Sequence, residues 1–592
     1  MQPLTVEQVL DATDLGIVAG LTDVLYATIG GRDVLYALNR AEGVLHEISV
    51  APDGTLTVEA ELILAGGFAI GSEPALSLRT GSTGSELLIA GLDPAAGAFV
   101  TLDATGGLMG QTALPVVGEL AAPVTFDLDR SDALLTGTDT GVDLYLNLGG
   151  GFTYADSLAD TSATYLADTR GGTALTLGAT PYVAVASASE SGLTVLRFDL
   201  TGTISVASSF GAVEGLPVST PSDMVAITSG DTTHLVLASS GSSSLTTLRV
   251  DTDGALWLED HVLDSVATRF QAATTLDALS VGDTAFVAVG GADGGISLFT
   301  MLPNGRLVHL STLVDTAETT LYRTSAIALS ATATTLQIAV TSQWEAGITR
   351  LGYDIASLGA VLVMENGDPG TGTSGHDQII GSDLADTLDG AAGDDILFDG
   401  AGSDVLIGGA GADLFVFAAD GVADTVTDYQ AGTDRLDLSA FDFLYDVSQL
   451  SVTPTATGAI LSFGDEMIAI TSSTGTPLSV ADFTNADILN VDRPPVLDVA
   501  QSLTGGPLAD ILNGGPGADT ITGAGGNDTL TGNGGADAIL GGDGDDQITG
   551  DAGDDVIDAG DGADSVSGGT GDDIIDGGAG DDILYGDDFD WM

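Results

Sequence analysis

The chain has no cysteine and no lysine among its 592 residues, and its 13 basic residues, all arginine, face 85 acidic ones. Without cysteine there is neither a disulfide framework nor thiol chemistry. The formal charge of −72 excludes nucleic acid as a natural partner, because phosphate repels such a surface. No apolar run approaches the roughly eighteen residues of a membrane span. Gly, Ser, Thr and Asp interrupt every one, despite a mean hydropathy of +0.32. The N-terminus, MQPLTVEQVLDATDLGIVAG, lacks a basic n-region and carries acids where a signal peptide needs an apolar core, so Sec export is not expected. Familiar hydrolase parts are missing too. His46-Glu47 is followed by Val50 where HExxH requires its second His, and there is no GxSxG elbow or P-loop.

What the chain has in excess is glycine and aspartate, set to a nine-residue beat: GGAGADLFV at 408–416, GGPGADTIT at 514–522, GGDGDDQIT at 541–549 and GGTGDDIID at 568–576. Five consecutive nonads run from Gly372 to Val416 and nine from Gly505 to Tyr585. The sixth position is always Asp: Asp377, Asp386, Asp395, Asp404 and Asp413, then Asp510, Asp519, Asp528, Asp537, Asp546, Asp555, Asp564, Asp573 and Asp582. The eighth is always large and apolar, from Ile379, Leu388, Leu397, Leu406 and Phe415 through to Ile575 and Leu584. A solvated acidic tail has no reason to keep an apolar residue at one phase, so the blocks are expected to fold. Each nonad divides into a six-residue Gly-rich turn and a three-residue strand, and stacked coils form a parallel β-roll with the eighth residues inside. The turns then pile up on two edges, where carbonyls beside Asp carboxylates suit calcium, a hard cation wanting six to eight oxygens.

These GGxGxD nonads are similar to those of the RTX family, the repeat proteins exported by type I secretion. The resemblance implies one calcium between turns two nonads apart, roughly three ions in the first block and roughly seven in the second, with the fourteen sixth-position aspartates as ligands. Three turns depart from the pattern: GSDLADTLD at 381–389, Asp399 in place of a leading Gly, and Leu508 in GGPLADILN. About ten ions would remove only about 20 of the negative charges. Without calcium the stacked carboxylates repel, and a thin core does not offset repulsion and chain entropy together.

Residues 1–365 read differently. Segments beginning at Val34, Glu86, Ala133, Tyr182, His234, Ala285 and Leu336 share a template of strand, turn, strand, turn, strand at a spacing of about fifty residues. Tight-turn dipeptides fall at matching places: Asp53-Gly54, Gly106-Gly107, Gly150-Gly151, Thr201-Gly202, Asp253-Gly254 and Asn304-Gly305. With a further strand before each unit, seven four-stranded units predict a β-propeller. The pattern resembles the seven-bladed lactonase-like or quinoprotein-like propellers. A lactonase-like hydrolase would draw on His46, Arg40, His234 or Arg170 at the channel, but no convincing cluster emerges from the sequence.

The expected organisation is all-β: propeller 1–365, first roll 372–416, a β-module 417–490, a Pro-containing linker 491–504, second roll 505–585 and a tail 586–592. The module resembles the one that follows the repeats in serralysin-type proteins. The short tail is read either as holding a brief export signal or as leaving part of that signal internal. Phe589, Trp591 and Met592 are expected to fold back over the last coil, the alternative being docking onto another chain. The expectation is an extracellular calcium-binding protein of a Gram-negative bacterium, delivered by the type I apparatus, with a propeller head for surface adhesion or self-assembly. The alternative is a secreted lactonase-like hydrolase.

Overall fold

The computed structural model describes residues 2–587 apart from 18–19, 69–74, 82–83, 94–96, 115–120, 129–130, 139, 148–151, 162–163, 213–214, 230–231, 365–366, 368, 442, 495–501, 508–509, 516, 554 and 572. Gly150-Gly151, Leu508 and the aromatic tail therefore lie outside the described residues. One compact unit comprises Met1–Ser209 with Val218–Pro495, and a second comprises Phe210–Pro217 with Val496–Met592. Among the described residues, no helix is long and apolar enough to cross a membrane.

Seven four-stranded antiparallel sheets form the propeller. The first strands of blades 1 to 7 are Asp23–Ile29, Leu76–Gly81, Ala121–Leu128, Thr169–Leu177, Pro221–Ser229, Thr275–Val281 and Thr324–Ala331. They pack against one another in order, and the last closes on the first. Gly54, Gly106, Gly202, Gly254 and Gly305 of the hairpin turns all take positive φ. Gly106, for example, has φ +86°, and a Cβ there would come 2.8 Å from Tyr36 Oη.

The last unit departs from the sequence template. Its final strand, Leu358–Val363, leaves the blade and pairs in parallel with His376–Ile380 of the first roll. The N-terminal strand Thr5–Asp11 takes its place, antiparallel to Gly347–Asp354, so both ends of the propeller chain share blade 7.

Part of the acidic excess holds the blades together. Asp23 Oδ2 accepts the Leu76 N–H (2.5 Å), Asp223 Oδ2 that of Leu276 (3.0 Å) and Asp277 Oδ2 that of Leu329 (2.7 Å), each from one first strand to the next. Burial pushes Asp23 up to about 7 and Asp277 up to about 6, against the backbone bonds that favour ionisation. Farther out, Glu47 accepts from Leu108 (3.0 Å), Asp156 from Ile204 (3.0 Å) and Asp260 from Leu307 (2.8 Å), each again to the following blade.

In the first roll, successive nonads alternate between two parallel sheets, so strand partners are two nonads apart: Ile379 opposite Leu397 opposite Phe415, and Leu388 opposite Leu406 opposite Val426. All six side chains are fully buried. The roll does not stop at Val416. Ala423–Tyr429 and Arg435–Asp437 add one more strand to each sheet, and the module strands Glu466–Ser472, Gly458–Phe463 and Ser451–Pro454 extend one of them. Tyr429, Leu436, Leu438, Leu461 and Ile468 join the eighth-position residues in a single core.

This roll is seated on blade 6. Leu302 and Val308 pack with Ile380, Ile396, Leu414 and Val416, and Gln378 Nε2 donates to Thr300 Oγ1 (2.8 Å). Arg493 bridges the parts, donating to both oxygens of Asp260 (2.8 and 3.0 Å) and lying 3.6 Å from Asp437. Burial opposes ionisation of Asp260 and Asp437, but Arg493 and Arg306 beside them hold both carboxyls below the ordinary range.

The second roll has the same two-sheet plan, one sheet from Ser502–Thr504 to Ile574–Asp576 and the other from Ile511–Gly515 to Ile583–Asp587. Its core is the eighth-position row Ile521, Leu530, Ile539, Ile548, Ile557 and Val566 with Ala559. Leu584, at the same phase of the last coil, is 45% exposed.

Candidate metal centre

The sixth-position aspartates form ladders along the roll edges. In the first roll, Asp377 N–H donates to Asp395 Oδ1 (2.8 Å), Asp395 N–H to Asp413 Oδ1 (3.0 Å), and on the other edge Asp386 N–H to Asp404 Oδ1 (2.7 Å). In the second roll one ladder runs Asp510, Asp528, Asp546, Asp564, Asp582 at 2.8 to 3.1 Å. The other runs Asp519, Asp537, Asp555, Asp573 at 2.7 to 3.0 Å. The nonad repeat produces this: two nonads make one full coil, so each aspartate stands over its counterpart eighteen residues away.

One oxygen of each carboxylate after the first in a ladder is thereby spent on a backbone N–H. Oδ2 of Asp395, Asp404, Asp413, Asp528, Asp546, Asp564 and Asp573 is buried with no hydrogen-bond partner. The leading glycine shows what that oxygen faces. A Cβ on Gly390 would lie 2.4 Å from Asp395 Oδ2 and 2.7 Å from the Gly408 carbonyl, and one on Gly523 would lie 2.4 Å from Asp528 Oδ2 and 2.6 Å from the Gly541 carbonyl. At these turns acceptor stands beside acceptor in a space that the missing glycine side chain leaves open. Buried acceptors without donors are costly, and a hard cation bound by oxygen removes that cost, so the donor set fits calcium. Burial also drives the carboxyls toward neutrality, pushing Asp395 and Asp413 up to about 7 and Asp404 up to about 6, with adjacent carboxylates adding to the shift.

The ladder ends differ. Both oxygens of Asp377 are taken, by Ala360 N–H (2.5 Å) and Thr373 N–H (2.7 Å). Asp386 spends Oδ2 on Ser382 N–H (2.6 Å) and keeps Oδ1 unpartnered, in the turn whose sequence departs from the consensus. Asp510 likewise accepts the Gly506 N–H (2.6 Å). Two ladder members escape the nonad count: Asp404 N–H donates to Asp424 Oδ1 (3.0 Å) and Asp413 N–H to Asp434 Oδ1 (3.2 Å). Their signal was Asp followed two residues on by a core residue, Val426 and Leu436, which is the same sixth-to-eighth relation at a stretched interval.

The hydrolase candidates are not brought together. His46 and His234 are buried in the third strand of blade 1 and the second strand of blade 5, beside Glu61 (3.5 Å) and Glu259 (3.1 Å). Arg40 lies in a turn of blade 1. Of the four, only Arg170 stands on a first strand, paired with Asp168 at 3.1 Å.

The family described as RTX calcium-binding nonapeptide repeat (4 copies) matches residues 371–398, 380–415, 504–539, 531–566 and 558–590. No curated protein matches the chain. Similar solved structures include a functionally unknown protein from Desulfotomaculum acetoxidans (13% identity, TM-score 0.37, 51% of this chain and 90% of that one). Others are a protein from Lactobacillus plantarum (14%, 0.38, 52% and 94%) and the periplasmic gluconolactonase of Pseudomonas aeruginosa (17%, 0.38, 50% and 85%). The two rolls of this chain are RTX calcium-binding repeats, and calcium is its cofactor.

Proposed function

We propose that this is an extracellular protein of a Gram-negative bacterium, exported unfolded through a type I apparatus and folded outside by the calcium it binds. The fourteen sixth-position aspartates are its ligand rows, with Asp424 and Asp434 extending the first. The observation that carries this reading is the row of buried carboxylate oxygens left unpartnered beside carbonyl oxygens. Calcium supplies positive charge along each row and draws neighbouring coils together. Because the sites exist only in the folded coil, binding free energy becomes folding free energy. Extracellular modules binding at about 10⁻⁴ to 10⁻³ M stay empty in the cytosol and fill outside, which gives export a direction.

The propeller is then a binding or scaffold head with a surface-adhesive or self-assembling role, carried by rolls that become rigid on arrival. The test is an ion count on the full chain after dialysis against millimolar calcium, with Asp546→Asn beside it. Several ions per chain are expected, with a weaker calcium midpoint in the variant. A chain that retains no calcium would overturn the proposal. Light scattering at the same calcium concentration addresses assembly: a monomer throughout would remove the self-assembling role and leave the head as a binder of other surfaces.

A further inference from the structure

Asp399 is the one leading position in either roll that carries a polar side chain; the others are Gly, with Ala at 559. Instead of disrupting its turn, Asp399 is buried (2% exposed) with Oδ1 accepting the Ala418 N–H at 2.8 Å. It lies against Asp404 and Asp424, themselves 1% and 5% exposed, and one oxygen from each of the three falls within 4.8 Å of the others. Among the described residues this is the only such group. Asp404 spends Oδ1 on the Asp386 N–H, and its Oδ2 is buried without a partner. Asp424 spends Oδ1 on the Asp404 N–H. Arg306, whose charge reaches Asp399, lies 3.7 Å from Asp437 and over the Phe398 ring (5.6 Å).

We propose that Asp399, Asp404 and Asp424 form a three-carboxylate cation site, in which Asp399 adds a ligand that the other repeat turns lack, where the first roll joins the β-module. Oxygens bound to calcium at about 2.4 Å lie no more than about 4.8 Å apart, so the observed grouping suits one ion shared by all three. Three buried carboxylates without a cation would carry a desolvation cost that a divalent ion offsets. Affinity in oxygen-ligand sites rises with ligand charge, so this site fills before turns that offer fewer carboxylates. A cation there ties a roll turn (Asp399, Asp404) to the strand that begins the module (Asp424), so the tightest site is also a clasp between them. The inference shares Asp404 and Asp424 with the repeat reading and rests on it for the identity of the ion.

The experiment uses the full chain, titrated with calcium by calorimetry and counted for bound ions after dialysis at low free calcium. Wild type is compared with Asp399→Gly, which restores the residue most repeats carry there, and Asp399→Asn, which keeps an acceptor for Ala418 N–H without the charge. Circular dichroism at saturating calcium confirms that each folds. The expected result is loss of the first-filling ion in both variants, or weakening of its binding by about tenfold or more, with the remaining sites unchanged. Unchanged count and affinity in both variants would overturn this site while leaving the repeat reading intact. Absence of calcium from wild type as well would overturn both.

Discussion

The two rolls share a repeat but not a setting. In the first, Leu358–Val363 covers the entry coil, Asp377 has both oxygens bonded within the protein, and the far coils merge with a β-module whose aromatic and aliphatic residues thicken the core. In the second, the core is a single row of eighth-position side chains with Ala559, and its last member stands 45% exposed. A core one residue wide offers little burial per ordered residue, so chain entropy and carboxylate repulsion weigh more heavily on it. The nonad specifies the coil in both rolls, and the flanking segments that bury the first roll's ends lead to the expectation that it depends less on the ion than the second.

Removing calcium gives the largest expected effect. In chelator, amide exchange should become unprotected across 505–585 while the module strands Ala423–Tyr429 and Glu466–Ser472 stay protected. Equal loss in both regions would erase the distinction. Next, Arg493→Ala leaves Asp260 buried without its main partner and Asp437 with Arg306 alone. It should cost about 3–5 kcal/mol in denaturant unfolding of the propeller with the first roll, and leave the second roll's calcium midpoint unmoved. Core truncation sharpens the contrast at one phase of the repeat. Leu406→Ala, from a fully buried position, should cost about 2–5 kcal/mol, whereas Leu584→Ala should cost about 1 kcal/mol or less, both read from calcium-saturated melts.

Acidity gives a subtler effect. Metal-free Asp395 and Asp413 sit at about 7 and Asp404 at about 6, so protons occupy them as pH falls through that window and compete with calcium. Calcium affinity of the first roll should rise as pH increases from below 6 to above 7, then level off. Without calcium the sign for folding is opposite: a raised carboxyl favours the metal-free fold most below its unfolded value of 3.8, and that contribution is lost as pH rises through 6 to 7. Calcium titrations followed by calorimetry on either side of the window check the first statement, and melts in chelator check the second.

Much of this was legible because the repeat writes steric and hydrophobic demands at fixed phases: glycine where a coil turns, Asp at the sixth place, an apolar residue at the eighth. Seven blades were legible from hairpin dipeptides and strand spacing. What escaped was pairing between distant segments. TVEQVLD at Thr5–Asp11 carries an alternation but no sign that its partner is Gly347–Asp354, and Leu358–Val363 looks like a blade strand although it opens the roll. Asp424 and Asp434 were hidden because intervals of 20 and 21 residues replace the regular 18. Asp399 read as a defect in a turn, since only the fold brings Asp424 to it. The carboxylate links between blades follow no motif, because any acid at the right height can accept an N–H from the next blade.

The most direct test is a calcium titration of the whole chain from chelator to millimolar concentration, followed by circular dichroism together with size-exclusion light scattering. Calcium-driven folding predicts that β-signal rises and the hydrodynamic radius falls across the titration, with mass reporting whether the chains also assemble. A chain equally structured and compact in chelator and in calcium would contradict it.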